Sequence, residues 1–226
     1  MITDKKQKAK DKGHFSVFTF LFSLIVAALL WFLMFSPWTS GRFNFWIEMS
    51  CAAVVLTTLV LLFTPDRKTL FRIKKPFQQV VAGIGIALAL WGVFWVGDRL
   101  STLMFDFARP EVDAVYAMKT GLPSSVIALL LLLLIGPAEE LFWRGYVQRT
   151  LVSILPGKQA ADWAFITTTL VYAFVHIWSF NFMLIMAAFV AGAVWGLIYR
   201  INPKLLPALI ISHALWDALV FVILPI

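Results

Sequence analysis

The chain has 226 residues, 61% of them hydrophobic and 14% charged, with a mean hydropathy of +0.87. A soluble domain is about half apolar and about a quarter charged, so this composition excludes an ordinary soluble domain and indicates an integral membrane protein. The net charge of +7 does not argue for nucleic-acid binding, because the basic residues sit in short stretches beside apolar segments, where membrane topology signals lie.

Residues 1–14 are polar and carry five lysines, and read as a cytoplasmic basic tail. The apolar segment from about 15 to 38 is longer than the core of a signal peptide and has no small-residue cleavage site after it, so it predicts a retained transmembrane helix. A second span is predicted at about 45–63 and a third at about 79–96, with the basic connector 65–77 between them. Residues 98–123 carry charges of both signs and form the longest loop, long enough to hold an interfacial or re-entrant helix. A fourth helix begins near the Ser124/Ser125 pair and runs to about 155, where Pro156-Gly157 ends it. Spans at about 160–180, 182–201 and 205–224 complete an all-α, polytopic bundle of about seven spans.

Orientation follows from charge. With the N-terminus inside, the cytoplasmic stretches hold fifteen Lys and Arg and the external ones four. That asymmetry places the N-terminus in and the C-terminus out. Ten Trp and 21 Phe fit a membrane protein, since Trp is enriched at the interfaces. Cys51 is the single cysteine, which excludes an internal disulfide and a cysteine-based metal cluster.

Six ionisable residues lie where apolar composition alone would not put them: Glu139, Glu140, Arg144, His176, His213 and Asp217. An acidic group at membrane depth costs roughly 2.5–3.5 kcal/mol on insertion scales, which makes it a functional-site candidate. The third histidine, His14, belongs to the basic tail. Glu140 and Arg144 are four apart, as are His213 and Asp217, so each pair shares a helix face. Glu139 is turned about 100° from Glu140, so the two carboxylates face different neighbours. Glu139 lies 18 residues before Gly157 and His176 lies 19 after it, which gives the two residues matching depth in a helical hairpin, and His213 agrees to within about two turns. These residues are expected to form one site. Gly136-Pro137 predicts a helix kink just before Glu139, because proline removes a backbone hydrogen bond and crowds the carbonyl of Leu133.

A carboxylate beside two imidazoles can act as a general base on water. A second histidine with a carboxyl one turn away can stabilise an oxyanion. Glu139, His176 and His213 could equally hold Zn²⁺, although the His-Glu-x-x-His spacing of zincins is absent. Glu140–Arg144 alone reads as a structural ion pair, and Phe189-x-x-Gly192-x-x-x-Gly196 as a helix-packing motif.

Taken in order, Glu139-Glu140-x-x-x-Arg144, His176, Phe189-x-x-Gly192-x-x-x-Gly196 and His213-x-x-x-Asp217 resemble the four motifs of the CPBP intramembrane protease family. That family includes type II CAAX prenyl endopeptidases and bacterial Abi-type proteins. The resemblance covers roughly residues 124–220, a catalytic helical core at 124–226. Residues 15–123, the N-terminal helices and external loop, carry none of its motifs. It implies an endopeptidase acting on a membrane protein or peptide, lipidated or not, in the bacterial cytoplasmic membrane. Glu139 would activate water with help from His176, while His213 and Asp217 stabilise the oxyanion. Glu140 would be supporting or catalytic, Arg144 supporting, and Zn²⁺ compatible but not required. Two departures stand out: Tyr172 replaces the Phe usual four residues before the histidine, and Asp217 stands where prenyl-protein proteases generally have Asn. An ionised Asp cannot donate to an oxyanion, so prenyl-CAAX specificity is not implied. The alternative is a non-enzymatic immunity or scaffold protein that keeps the cluster for packing or partner binding. A proton-coupled transporter is disfavoured, since no inverted repeat is visible.

Overall fold

A computed structural model describes residues 16–226; the predicted basic tail and His14 lie outside the described residues. Among these residues the regular structure is helical throughout, and seven helices are long and apolar enough to cross a membrane. The spans are α1 (Val17–Phe35), α2 (Phe45–Phe63), α3 (Pro76–Met104), α5 (Ser124–Ile154), α6 (Ala160–Ser179), α7 (Phe182–Ile201) and α8 (Pro203–Ile223). A short helix, α4 (Ala108–Ala117), lies between α3 and α5.

Two predicted boundaries move. The first span is shorter than its apolar run, capped by the Ser16 side chain at one end and stopped at Ser36 at the other. The third is longer than predicted: α3 continues to Met104 and carries Asp98 and Arg99 within its last turns. Asp98 is accommodated there by Arg109 of α4, 3.5 Å away. The external loop therefore contracts, and α4 fills most of it. Glu111 of α4 accepts a hydrogen bond from the Met183 amide at 2.9 Å, and its carbonyl accepts one from Asn181 Nδ2 at 2.7 Å. A carboxylate on an otherwise unpaired first-turn amide is favourable at a helix N-terminus, and it fastens α4 onto the start of α7. Only Phe180 and Asn181 separate α6 from α7. Phe180 adopts φ 50° to reverse the chain, and the Asn181 side chain caps α7 at Leu184 N.

α5 and α8 are the most enclosed spans, and α3 the least. α5 is not a regular helix. It changes to π-helical turns at Leu131–Ile135, returns to α at Gly136–Glu140, and is π-helical again over Leu141–Gln148. The first π segment contains Leu133, whose carbonyl Pro137 cannot serve. Widening to i→i+5 bonding absorbs that missing donor without breaking the helix, and such bulges re-aim the side chains that follow. In place of the simple kink expected at Pro137, the helix has π turns on both sides of the two glutamates.

Close approach holds α8 against α5 and α3. A Cβ on Gly136 would stand 2.6 Å from Ala214 Cα, and one on Gly83 2.7 Å from the Ala208 carbonyl oxygen. Gln79 of α3 ties the start of α8, donating to the Lys204 carbonyl at 3.0 Å and accepting from the Ala208 amide at 3.1 Å. Gly136→Ala must therefore push backbone against backbone, and a loss of about 1–3 kcal/mol is expected. Gly92→Ala in α3 meets no heavy atom within 4 Å and should be neutral or mildly stabilising. Thermal unfolding of the two purified variants in the same detergent checks the contrast; equal melting temperatures would contradict it.

Candidate active site

The candidate side chains come from α5, α6 and α8, with α7 and α1 packed around them. Glu140 and Arg144 are both fully buried, and Arg144 Nη1 donates to Glu140 Oε2 at 3.0 Å. His213 Nδ1 reaches the same oxygen, also at 3.0 Å. Glu140 therefore joins α5 to α8 as well as bracing its own helix. A carboxylate accepts only, so the hydrogen in that contact belongs to His213 Nδ1. Arg144 Nη2 donates to the Gly192 carbonyl on α7 at 3.0 Å, and Gln148 Nε2 to the Gly196 carbonyl at 2.9 Å. The packing motif on α7 thus also presents two carbonyl acceptors, four residues apart, to two donors four residues apart on α5. The Arg144 guanidinium lies over the rings of Tyr172 and Trp195, 5.1 and 5.5 Å from their centroids. Trp195 stacks flat on His213, with centroids 4.0 Å apart and an interplanar angle of 19°.

Glu139 faces elsewhere, as the helical phase predicts. Its Oε2 accepts a hydrogen bond from the Tyr172 hydroxyl at 3.1 Å. The residue that departs from the family's Phe is thus the donor to the candidate base. His176 does not contact Glu139 through a hydrogen bond. Its Nδ1 lies 2.9 Å from the Tyr172 carbonyl, and its Nε2 lies 3.0 Å from Trp31 Nε1. A carbonyl only accepts and an indole N–H only donates, so His176 is held as the neutral tautomer with hydrogen on Nδ1. His213 Nε2 is 3.6 Å from Asp217 Oδ2, beyond hydrogen-bond range. Glu140 Oε1 and Arg144 Nε have no hydrogen-bond partner among the described residues.

One cavity of about 430 Å³ is lined by Glu139, Tyr172, His176, His213 and Asp217 together. The rest of its wall is almost wholly apolar and aromatic, with Phe35 of α1, Trp46 of α2, Phe94 of α3 and Tyr116 of α4 among the contributors. The candidate residues separated by sequence are brought to one wall. Glu140 and Arg144 stand behind it. Among the described residues no group of three or more His, Cys, Asp and Glu side chains is arranged to hold a metal ion. Both ring nitrogens of His176 are directed to protein groups, so Glu139, His176 and His213 do not fit as a ligand set here.

Sequence reasoning missed two site residues. Trp31 comes from the half of the chain without motifs, and Tyr172 was visible only as a substitution in a pattern. No signal in the sequence marked Trp31, since an indole one turn from the end of α1 reads as an interfacial anchor. Trp31, Trp143 and Trp195 are all 0% exposed, so these three serve the interior and not an interfacial belt.

The chain is helical and gathers carboxylates and imidazoles at one apolar cavity. Residues 121–219 match the family model described as Rce1-like, type II CAAX prenyl endopeptidase Rce1-like. The resemblance carried by the motifs is borne out over this region, which runs from just before α5 to most of α8. No curated protein and no solved structure gave a significant match.

Breaking the buried pair tests its role. Arg144→Met leaves the Glu140 carboxylate buried with only His213, and a loss of about 3–5 kcal/mol is expected. Arg144→Met with Glu140→Gln removes both charges and should unfold at a higher temperature than Arg144→Met alone. A double variant no more stable than the single one would show that the loss is one of packing and not of stranded charge.

Proposed function

We propose that this chain is an intramembrane endopeptidase that hydrolyses a peptide bond of a membrane-associated protein or peptide, with water activated by Glu139. The supporting observation is that Glu139, the one of the two glutamates not bonded to Arg144, lies on the wall of an apolar cavity. Tyr172 holds one of its carboxylate oxygens. A carboxylate so fixed takes a proton from water, and the resulting hydroxide adds to the scissile carbonyl carbon. The proton then passes to the leaving amine as the C–N bond breaks, giving a carboxylate and an amine.

His213 supports the addition step. With Nδ1–H donated to Glu140, its Nε2 edge is turned towards Asp217 and the cavity wall, and an Nε2–H there can stabilise the oxyanion. Asp217 then orients His213 and balances its charge, a role that an ionised carboxylate can fill. His176 has one Nε2 lone pair, at present directed to Trp31. It assists the attacking water only by exchanging that donor for the water's hydrogen. The apolar remainder of the cavity suits a hydrophobic side chain or lipid-bearing residue of an extended peptide. No metal enters these steps. The membrane concerned is, in this reading, the bacterial cytoplasmic membrane.

Glu139→Gln keeps size and removes the base, so cleavage of a cognate substrate should fall by about 10²–10⁴-fold. Comparative proteomics of cells carrying wild-type or Glu139→Gln protein should show an uncleaved precursor accumulating with the variant. Cleavage near the wild-type rate would sink the mechanism. Treatment with EDTA should leave the rate of purified protein unchanged, and loss of activity restored by Zn²⁺ would replace Glu139-alone catalysis with a metal-assisted one.

A further inference from the structure

At the opposite end of the bundle from α4, a second recess of about 440 Å³ is walled by Arg72, Lys74, Arg149 and Lys204. These come from three parts of the chain: the connector between α2 and α3, the inner part of α5, and the start of α8. Among the described residues none of the four side chains forms an ion pair or a hydrogen bond, and no carboxylate lines the recess. Tyr199 of α7 also lines it; it is only 6% exposed, and its hydroxyl has no hydrogen-bond partner among the described residues. Leu70, Val152 and Leu206 supply apolar wall beside the charges.

Topology alone accounts for basic residues in exposed connectors. It does not by itself bring Arg149, partly buried near the end of α5, into one recess with the Tyr199 ring. Nor does it require the cations to ring a single concavity.

We propose that this recess binds a phosphate group, and that the phosphate is the headgroup of an anionic phospholipid in the leaflet at the basic end of the bundle. Four cations and a phenolic hydroxyl offer charge and donors to phosphate oxygens, and basic pockets between membrane helices are suited to such headgroups. The apolar wall and the exposed Phe71 and Ile73 nearby give the acyl chains a surface to follow. This site is separate from the cavity lined by Glu139 and does not rest on the proteolytic reading.

The test uses the full chain in detergent with added phosphatidylglycerol or phosphatidylcholine, read by native mass spectrometry and by thermal unfolding. One phosphatidylglycerol should be retained under conditions that strip phosphatidylcholine, with a saturable rise in melting temperature. Arg149→Gln with Lys204→Gln should weaken retention by roughly 10–30-fold, from the contribution of each basic residue at a membrane surface. Tyr199→Phe, which keeps the ring packing, should weaken it less. Lys204→Gln, at an exposed position, serves alone if the double variant does not fold. Arg67→Gln with Lys68→Gln, outside the recess, should leave retention unchanged.

Inorganic phosphate is the second probe. Protection by phosphate that depends on Arg149, without preference for phosphatidylglycerol, supports the phosphate site but overturns the lipid as its source. Equal retention of both lipids with no protection by phosphate overturns the site. So does an equal loss from the Arg67/Lys68 control, which would show diffuse surface attraction instead of a pocket.

Discussion

The carboxylate of Glu140 is the point on which the rest of the structure depends. A charge removed from water must find its partners inside the protein, and truncating one partner leaves the penalty uncompensated. Glu140 meets this by offering a single oxygen to Arg144 on its own helix and to His213 on α8. Arg144 passes the connection to α7 through the Gly192 carbonyl, and Trp195 closes against His213. Three spans are thereby fixed around one ionic centre, and the neighbouring Glu139 is left free of it. Adjacent residues with opposite obligations result: one is committed to holding the bundle together, the other is turned to the cavity.

Much of this was legible in the sequence because helical periodicity is strict. The four-residue spacing of Glu140 and Arg144 predicted their shared face, and depth counting from Gly157 brought Glu139 and the histidine helix together. The spans at 45–63 and 182–201 follow from the apolar runs alone. The extension of α3 past Asp98 did not, because a charged residue ends a hydropathy run whether or not the helix ends; Arg109, eleven residues later, is what lets the helix continue. Pro137 suggested a kink where the helix instead takes π turns, since both relieve a missing amide.

The partners of the site were harder to read than its members. Depth arithmetic placed Glu139 and His176 at one level and in one site. Each instead finds its hydrogen bonds with another group: Tyr172 for the glutamate, and Trp31 with the Tyr172 carbonyl for the histidine. A period of 3.6 residues gives the angle of a side chain about its own helix but says nothing about which neighbour fills the space opposite. Trp31 could not be found this way, because it carries no charge, belongs to a span outside the Rce1-like region, and gains its significance only from the nitrogen it meets. The N-terminal spans are therefore part of the cavity even though the motifs lie elsewhere.

The paired contacts from Arg144 and Gln148 to Gly192 and Gly196 have a mechanical consequence. Donors four apart on α5 meet acceptors four apart on α7, so the two helices are pinned at two levels. Sliding one along the other by a single residue, about 1.5 Å, would break both contacts without offering a new pair. The lipid bilayer varies in thickness, and helices commonly adapt by tilting or shifting. Here α5 and α7 are expected to adapt as one piece, because neither can shift without losing both contacts. Tilting of the pair as a unit answers a thicker or thinner membrane while leaving the Glu140–Arg144 centre intact.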